Sequence, residues 1–250
     1  MLVKGLKKAI ALDIFCHSNV GGRRENEDMY GVFEARKKEH CFVIADGLGG
    51  HGGGARASKA AVDMIGKNFM STRPSGTEDL SAWFREANRA VLDLQTPACR
   101  MKTTLVTLYI RKQLALWAHV GDSRLYRFVD GKIMAQTMDH SVSQMAVIRG
   151  EITKDEIRGH EDRNRLLRAL GSSQDICFDV SGPVNINERK QDFLLCTDGF
   201  WEYIYEKEME EALFHASDAK AWMERMLMYL KKRAKSENDN YTAITVRINR

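Results

Sequence analysis

The chain has 250 residues, 44% of them hydrophobic, enough to bury a full core in one domain. Its 38 Lys and Arg against 34 Asp and Glu give a formal net charge of +4, a mixed surface without the concentrated basic stripe that nucleic-acid binding wants. The five cysteines are odd in number and form no CxxC pair, which argues against a disulfide framework and a zinc knuckle. Cys41, Cys177 and Cys196 read as small buried hydrophobes in a reducing compartment. At the amino terminus Lys4, Lys7 and Lys8 precede an apolar stretch, but Asp13 interrupts it and no clear cleavage site follows. Nothing elsewhere approaches the ~20 apolar residues of a membrane span, so the expected location is cytoplasmic.

In chain order, Ala9 to His17 reads as a first strand, closed by the Ser18 to Arg24 loop with its Gly21-Gly22 pair. Met29 to Ala35 and His40 to Ala45 read as a hairpin over the charged turn Arg36 to Glu39. From Ala55 the period changes, and Ala57, Ala60, Ala61, Met64, Ile65 and Phe69 mark the apolar face of a helix to Met70. Thr77 is placed to cap a second helix, whose Leu80, Phe84, Ala87, Val91 and Leu94 keep helical spacing through Gln95 before Pro97. Strands follow at Thr103 to Ile110, Leu114 to Val120, Leu125 to Val129 and Ile133 to Thr137, with Asp130-Gly131 as the sharpest hairpin signal. Val142 to Arg149, Thr153 to Arg158 and Asn164 to Ala169 read as helical pieces, within a segment that is either a mobile cover over a site or a surface insertion. Strands at Ile176 to Val180 and Asp192 to Thr197, helices at Glu206 to His215 and Asp218 to Lys235, and a strand at Tyr241 to Ile248 complete the pattern. Helices outside two packed antiparallel sheets are the expected layers.

Asp28, Asp46, Asp122, Asp198 and Asp239 each sit in a turn-rich break beside an apolar run. One such acid is an ordinary turn former. Five, four of them directly following or opening after hydrophobic strands, suit a hard cation such as Mg²⁺ or Mn²⁺, which prefers carboxylates and water, and suggest a metal-dependent hydrolase.

The segments RRENED (23–28), DGLGGHGGG (46–54), GDSRLY (121–126), DHS (139–141), RALG (168–171), CTDG (196–199) and NDNYT (238–242) together resemble the PPM or PP2C family of metal-dependent Ser/Thr protein phosphatases, in family order. The resemblance implies an α+β fold, a four-layer α-β-β-α sandwich with two central antiparallel β-sheets. It implies one domain over residues 1–250, with a flap at about 142–171, and a centre of two Mg²⁺ or Mn²⁺ ions. On this likeness Asp46 bridges the metals and orients the nucleophilic water, and the Gly47 carbonyl is a ligand of one ion. Asp198 and Asp239 are carboxylate ligands on the other side. Asp28 joins the metal set by holding metal-bound water, with Glu27 behind it. Asp122 with Asp198 falls where bacterial members hold a weaker third ion, and Arg23 receives the substrate phosphate, with Arg24 as the alternative.

Paired divalent ions acidify a water and clamp the oxygens of an in-line displacement, so the expectation is direct attack on phosphorus without a phosphoenzyme. The expected partner is a phosphorylated protein, including that of a cognate Ser/Thr kinase, with no nucleic acid. Two positions depart from the family. Leu48 replaces the histidine of eukaryotic members, as in the bacterial branch, and Lys102 replaces the usual glycine before Thr103-Thr104, which is expected to alter that loop or, as the alternative, to add positive charge near a phosphorylated substrate. His51 is a candidate proton shuttle or a local hydrogen-bonding group. His140 reads as structural, and Ser123 lacks the base and orienting acid of a serine nucleophile. GLGGHGGG lacks the Lys-Ser/Thr of a P-loop. A nucleic-acid or nucleotide hydrolase would also use paired cations, but the balanced charge opposes it. The reading from a different class is a catalytically silent phosphoprotein-binding module.

Overall fold

The computed structural model describes residues 11–35, 39–49, 52–72 and 74–249. One sheet holds β1 (Ala11–Asn19), β11 (Tyr241–Asn249), β10 (Gln191–Cys196), β7 (Arg124–Val129) and β8 (Lys132–Gln136) in that order. The other holds β2 (Asp28–Ala35), β3 (Glu39–Leu48), β5 (Leu105–Arg111), β6 (Leu114–Val120) and β9 (Asp179–Asn185), with the short β4 (Lys102–Thr103) also on β3. Neighbouring strands pair antiparallel throughout both sheets.

Period-two alternation explains the layering. In β3, Phe42 and Ile44 join Phe193, Leu195, Ile244 and Val246 in the core between the sheets. The alternate Cys41, Val43 and Ala45 pack against α1 (Gly53–Ser71) and α2 (Thr77–Asp93). In β10, Leu194 and Cys196 turn the other way, toward α5 (Glu206–Phe214) and α6 (Ala219–Arg233). Three cores between four layers give the α-β-β-α sandwich expected from the sequence.

Several details differ from the sequence reading. Asn164 to Ala169 is not helical, because Leu166 pairs with Ser141 and neighbouring Leu170 with Thr103 in isolated bridges that take up the backbone. The strand expected at Ile176 to Val180 begins at Asp179, where pairing with β6 begins. Val142 to Arg149 forms α3 (Val142–Ile148), while Thr153 to Arg158 is a short 3₁₀ turn, Asp155–Gly159. Thr77 is the first helical residue of α2 and Gly76 its cap. Cys177 is exposed, not buried, because it precedes β9 and misses the core. All five cysteines are free thiols. Ala9, most of the Arg36 to Glu39 turn, Gly50 and His51 lie outside the described residues. Among the described residues no helix is long and apolar enough to cross a membrane.

Candidate metal centre

The acids meet because every strand that carries one ends or begins at the same edge of the sandwich. Asp28 opens β2 and Asp46 lies near the end of β3, and their Cα atoms are direct cross-strand partners, so both side chains leave the same face. Asp122 follows β6, Asp198 follows β10 and opens the short α4 (Asp198–Trp201), and Asp239 precedes β11. Arg23, Glu27, Asp46, Gly47, Asp122, Asp198 and Asp239 line one cavity of about 670 Å³. Arg24, Leu48, Asn164 and Leu166 line it too, the last two from the 142–171 segment. Its Arg158 is tied by hydrogen bonds to the Trp201 and Ile204 carbonyls and to Glu206, and Arg163 pairs with Glu202.

The glycine-rich run is explained by a close approach. A Cβ on Gly47 would stand 2.2 Å from the Gly54 carbonyl oxygen, and one on Gly54 would stand 2.6 Å from the Glu27 carboxyl carbon. The start of α1 is thereby pressed against β3, and the Gly54 amide donates to Glu27 Oε1 at 3.1 Å.

Hydroxyls and amides set each acid in place. Thr104 accepts from the Asp46 amide at 2.9 Å, while the Thr103 hydroxyl donates to the Asp46 carbonyl at 2.8 Å. The Thr197 hydroxyl, at the end of β10, reaches across to Asp28 Oδ2 at 2.9 Å and so bridges the two sheets. Trp201 Nε1 donates to the Asp122 carbonyl at 2.9 Å. Asn240 accepts from the Glu27 amide and donates to the Val20 and Glu25 carbonyls, fixing the loop that carries Arg23. Trp201 carries no signal in the sequence, while Thr103, Thr104, Thr197 and Asn240 appear there only inside family-like motifs, with no role of their own.

Crowded carboxylates resist ionisation. Burial, then the charges of Asp198 and Asp239, push Asp28 up to about 7 against the hydrogen bonds of Thr242 and Thr197. Burial and Asp239 push Asp198 up to about 6, with hydrogen bonds from Asp46 and the Gly199 amide opposing. Asp46 is raised far above the usual carboxylate range by burial and by Asp198, Asp28, Asp122 and Asp239 in turn. Asp122 is raised in the same way by burial, Asp198 and Asp139, and Glu27 more mildly by burial.

The donor set fits a hard divalent cation. Asp28 Oδ1 and Asp198 Oδ1 are buried without a hydrogen-bond partner, a costly state that a cation would relieve. Both oxygens of Asp239 are engaged, Oδ2 by Arg23 at 2.8 Å and Oδ1 by the Asn240 amide at 2.8 Å. Among the described residues the only three potential ligand atoms within 4.8 Å of one another belong to His119, His140 and Asp179, outside this cavity. No three of the acids draw that close, as expected of like charges. Ser123 is buried with its hydroxyl 2.7 Å from Thr104 Oγ1, away from any base. Lys102 is exposed in β4 opposite Leu48, with no left-handed backbone, so this position does not call on glycine's freedom.

Comparison with known proteins identifies the family. The profile of the Protein phosphatase 2C family matches residues 17–239. The serine/threonine phosphatase stp of Listeria monocytogenes is 33% identical over 205 residues, covering 76% of this chain and 78% of that one. The serine/threonine phosphatase structure of S. agalactiae superposes with a TM-score of 0.82 at 25% identity, over 94% of this chain and 99% of its own. The catalytic domain of the phosphatase PstP, solved in complex with two manganese ions, gives a TM-score of 0.77 at 25% identity, over 96% and 100%. Family profile, sequence relatives and fold converge with a cavity of carboxylates suited to divalent cations, and the chain belongs to the protein phosphatase 2C family, as a metal-dependent protein serine/threonine phosphatase.

Proposed function

We propose that the chain hydrolyses phosphoserine and phosphothreonine in proteins at a centre of two Mg²⁺ or Mn²⁺ ions, without a phosphoenzyme. The observation that carries this reading is the pair of unpartnered oxygens on Asp28 and Asp198 beside a cavity whose rim bears Arg23. Asp46, the Gly47 carbonyl, Asp198 and Asp239 hold the pair of ions, Asp28 and Glu27 hold their waters, and Asp122 with Asp198 holds a weaker third. When bound, the pair supplies an acidified water for in-line attack and screens the charge building on phosphorus.

The chain's own groups do the rest. Arg23 presents a planar donor fork matched to phosphate oxygens. It is half exposed and engaged by Asp239. Once Asp239 serves as a ligand its hold on Arg23 weakens, and the guanidinium turns to substrate. No serine, cysteine or histidine stands among the described lining residues, which supports water as the nucleophile. Leu48 lines the cavity and has no proton to give, so the leaving alkoxide takes its proton either from water held against the acids or from another group. We take residues 1–250 as one domain with a flap at 142–171, acting in the cytoplasm on phosphoproteins, among them those of a cognate Ser/Thr kinase, and not on nucleic acid.

The test is phosphate release from phosphothreonine peptides with Mn²⁺ and with EDTA, followed by a single turnover in heavy-oxygen water. Turnover should need the metal, and one solvent oxygen should enter each phosphate. Acid-stable phosphate trapped on the protein, or full turnover in EDTA, would refute the mechanism.

A further inference from the structure

Beside the cavity, but outside it, two buried histidines stack. The rings of His119 and His140 lie 4.7 Å apart between centroids and 10° from parallel. With Asp179 they are close enough to suggest a second cation site, but their geometry opposes one. A cation bound to an imidazole nitrogen lies near the plane of that ring, and two near-parallel stacked planes share no such point. The hydrogen bonds oppose it as well. The Gly121 amide donates to His140 Nδ1 at 3.2 Å, so in the neutral ring the proton sits on Nε2, which faces Asp179 Oδ2 at 3.4 Å. His119 Nε2 lies 2.8 Å from the Met138 carbonyl, an acceptor only.

This is a strut rather than a metal site. His140 clasps Gly121 twice, by its ring and by its own amide, which donates to the Gly121 carbonyl at 2.9 Å. Gly121 has a φ of +96°, and a Cβ there would stand 2.6 Å from Thr104 Cγ2. The next residue is Asp122, held on its other side by Trp201. The His140 carbonyl also accepts from the Leu167 amide at 2.8 Å, beside cavity-lining Leu166. Burial and the neighbouring His119 push His140 down to about 4, so the ring is neutral in ordinary buffers.

We infer that His140 is a positioning residue: its Nδ1 accepts the Gly121 amide and so fixes where Asp122 stands in the cavity. The inference rests on the reading of Asp122 as part of a weaker third ion site. Groups behind a ligand typically change metal affinity about 10–100-fold when removed.

The test uses the full chain. Amide exchange at Gly121 is measured by NMR without metal, and Mn²⁺ binding by calorimetry, for wild type, His140→Leu, His140→Asn and Asp122→Asn. His140→Leu should speed Gly121 exchange and weaken the weakest Mn²⁺ step, each by about tenfold or more, while leaving the tighter steps in place. His140→Asn, whose side-chain oxygen can replace Nδ1 as acceptor, should restore both, an outcome that general loosening would not give. Unchanged Gly121 exchange in His140→Leu overturns the strut. Faster exchange with an unchanged weak Mn²⁺ step overturns its transmission to Asp122. If wild type shows no weak step that Asp122→Asn removes, the third-ion reading falls instead, and the exchange measurement alone then decides the strut.

Discussion

Asp198→Asn should stabilise the metal-free protein while disabling the enzyme. In the fold this carboxyl is raised from 3.8 to about 6 by burial and by Asp239, so holding it ionised strains the native state by on the order of 2–3 kcal/mol. The sign follows from linkage. A carboxyl with a raised folded pKa binds more protons in the native state, so stability falls as pH rises from about 4 to about 6 and stays reduced above that. A neutral amide escapes this penalty but loses part of the hydrogen bonding from the Gly199 amide and Asp46, leaving a net gain of about 1–2 kcal/mol. At roughly 2–4 °C per kcal/mol for a domain of this size, the metal-free Tm at pH 8 should rise by about 2–8 °C, and the gain should fade toward pH 4. Saturating Mn²⁺, at about 100 times Kd, should add about 2.7 kcal/mol per site to wild type and well under half of its total to the variant. Thermal unfolding with EDTA and with Mn²⁺ at both pH values reads all of this, alongside phosphate release. A variant that is less stable than wild type in EDTA at pH 8, or that keeps the full Mn²⁺ increment, would refute the idea of a strained carboxylate relieved by metal.

Arg23→Lys should keep its charge but lose the fork, reducing kcat/KM by about 1.5–3 kcal/mol, or roughly 10- to 150-fold. Its ion pair with Asp239 is half exposed, so urea stability should move by less than about 0.5 kcal/mol, and equal activity would count against Arg23 as the phosphate contact. Gly47→Ala forces a Cβ to within 2.2 Å of the Gly54 carbonyl, and overpacking of this kind should cost about 1–3 kcal/mol; an unchanged urea midpoint would show that α1 can simply move. Arg124 is buried against Asp139 through bonds of 2.8 and 2.7 Å and stacks 3.4 Å above the Trp201 ring. Arg124→Leu leaves Asp139 buried and alone, which should cost about 3–5 kcal/mol, and adding Asp139→Leu should recover most of it; a double variant no better than the single would place the loss in the Trp201 stack.

The parts of the fold legible in the sequence were those governed by period and turn chemistry. Asp130 and Gly131 both adopt positive φ, 50° and 82°, as a two-residue hairpin demands, and the alternation along β3 separates its two cores. Elements fixed by distant partners were not legible. Asn164 to Ala169 has helical composition, but Ser141 and Thr103 claim its backbone through Leu166 and Leu170. Cys177 looks like a core residue until β9 is seen to begin two positions later. The acids could be gathered from their recurrence at strand ends together with the family likeness; Asp46, Asp122, Asp198 and Asp239 line the cavity, and Asp28 pairs with Asp46 behind it. The clamps behind them were silent, because Thr104 to Asp46 and Thr197 to Asp28 join residues 58 and 169 positions apart and threonine in a strand has an ordinary explanation as a β-former.

The Thr197–Asp28 bond and the Arg23–Asp239 contact, the latter spanning 216 positions, have a bearing on biosynthesis. On the ribosome the early strands can emerge and begin to pack, but the lining of the cavity is incomplete until residue 239 has left the exit tunnel and β11 has slotted between β1 and β10. With Asp239 as a metal ligand, as proposed, a nascent chain carries no dephosphorylating power over its neighbours, and a message cut short before that point yields an inert product.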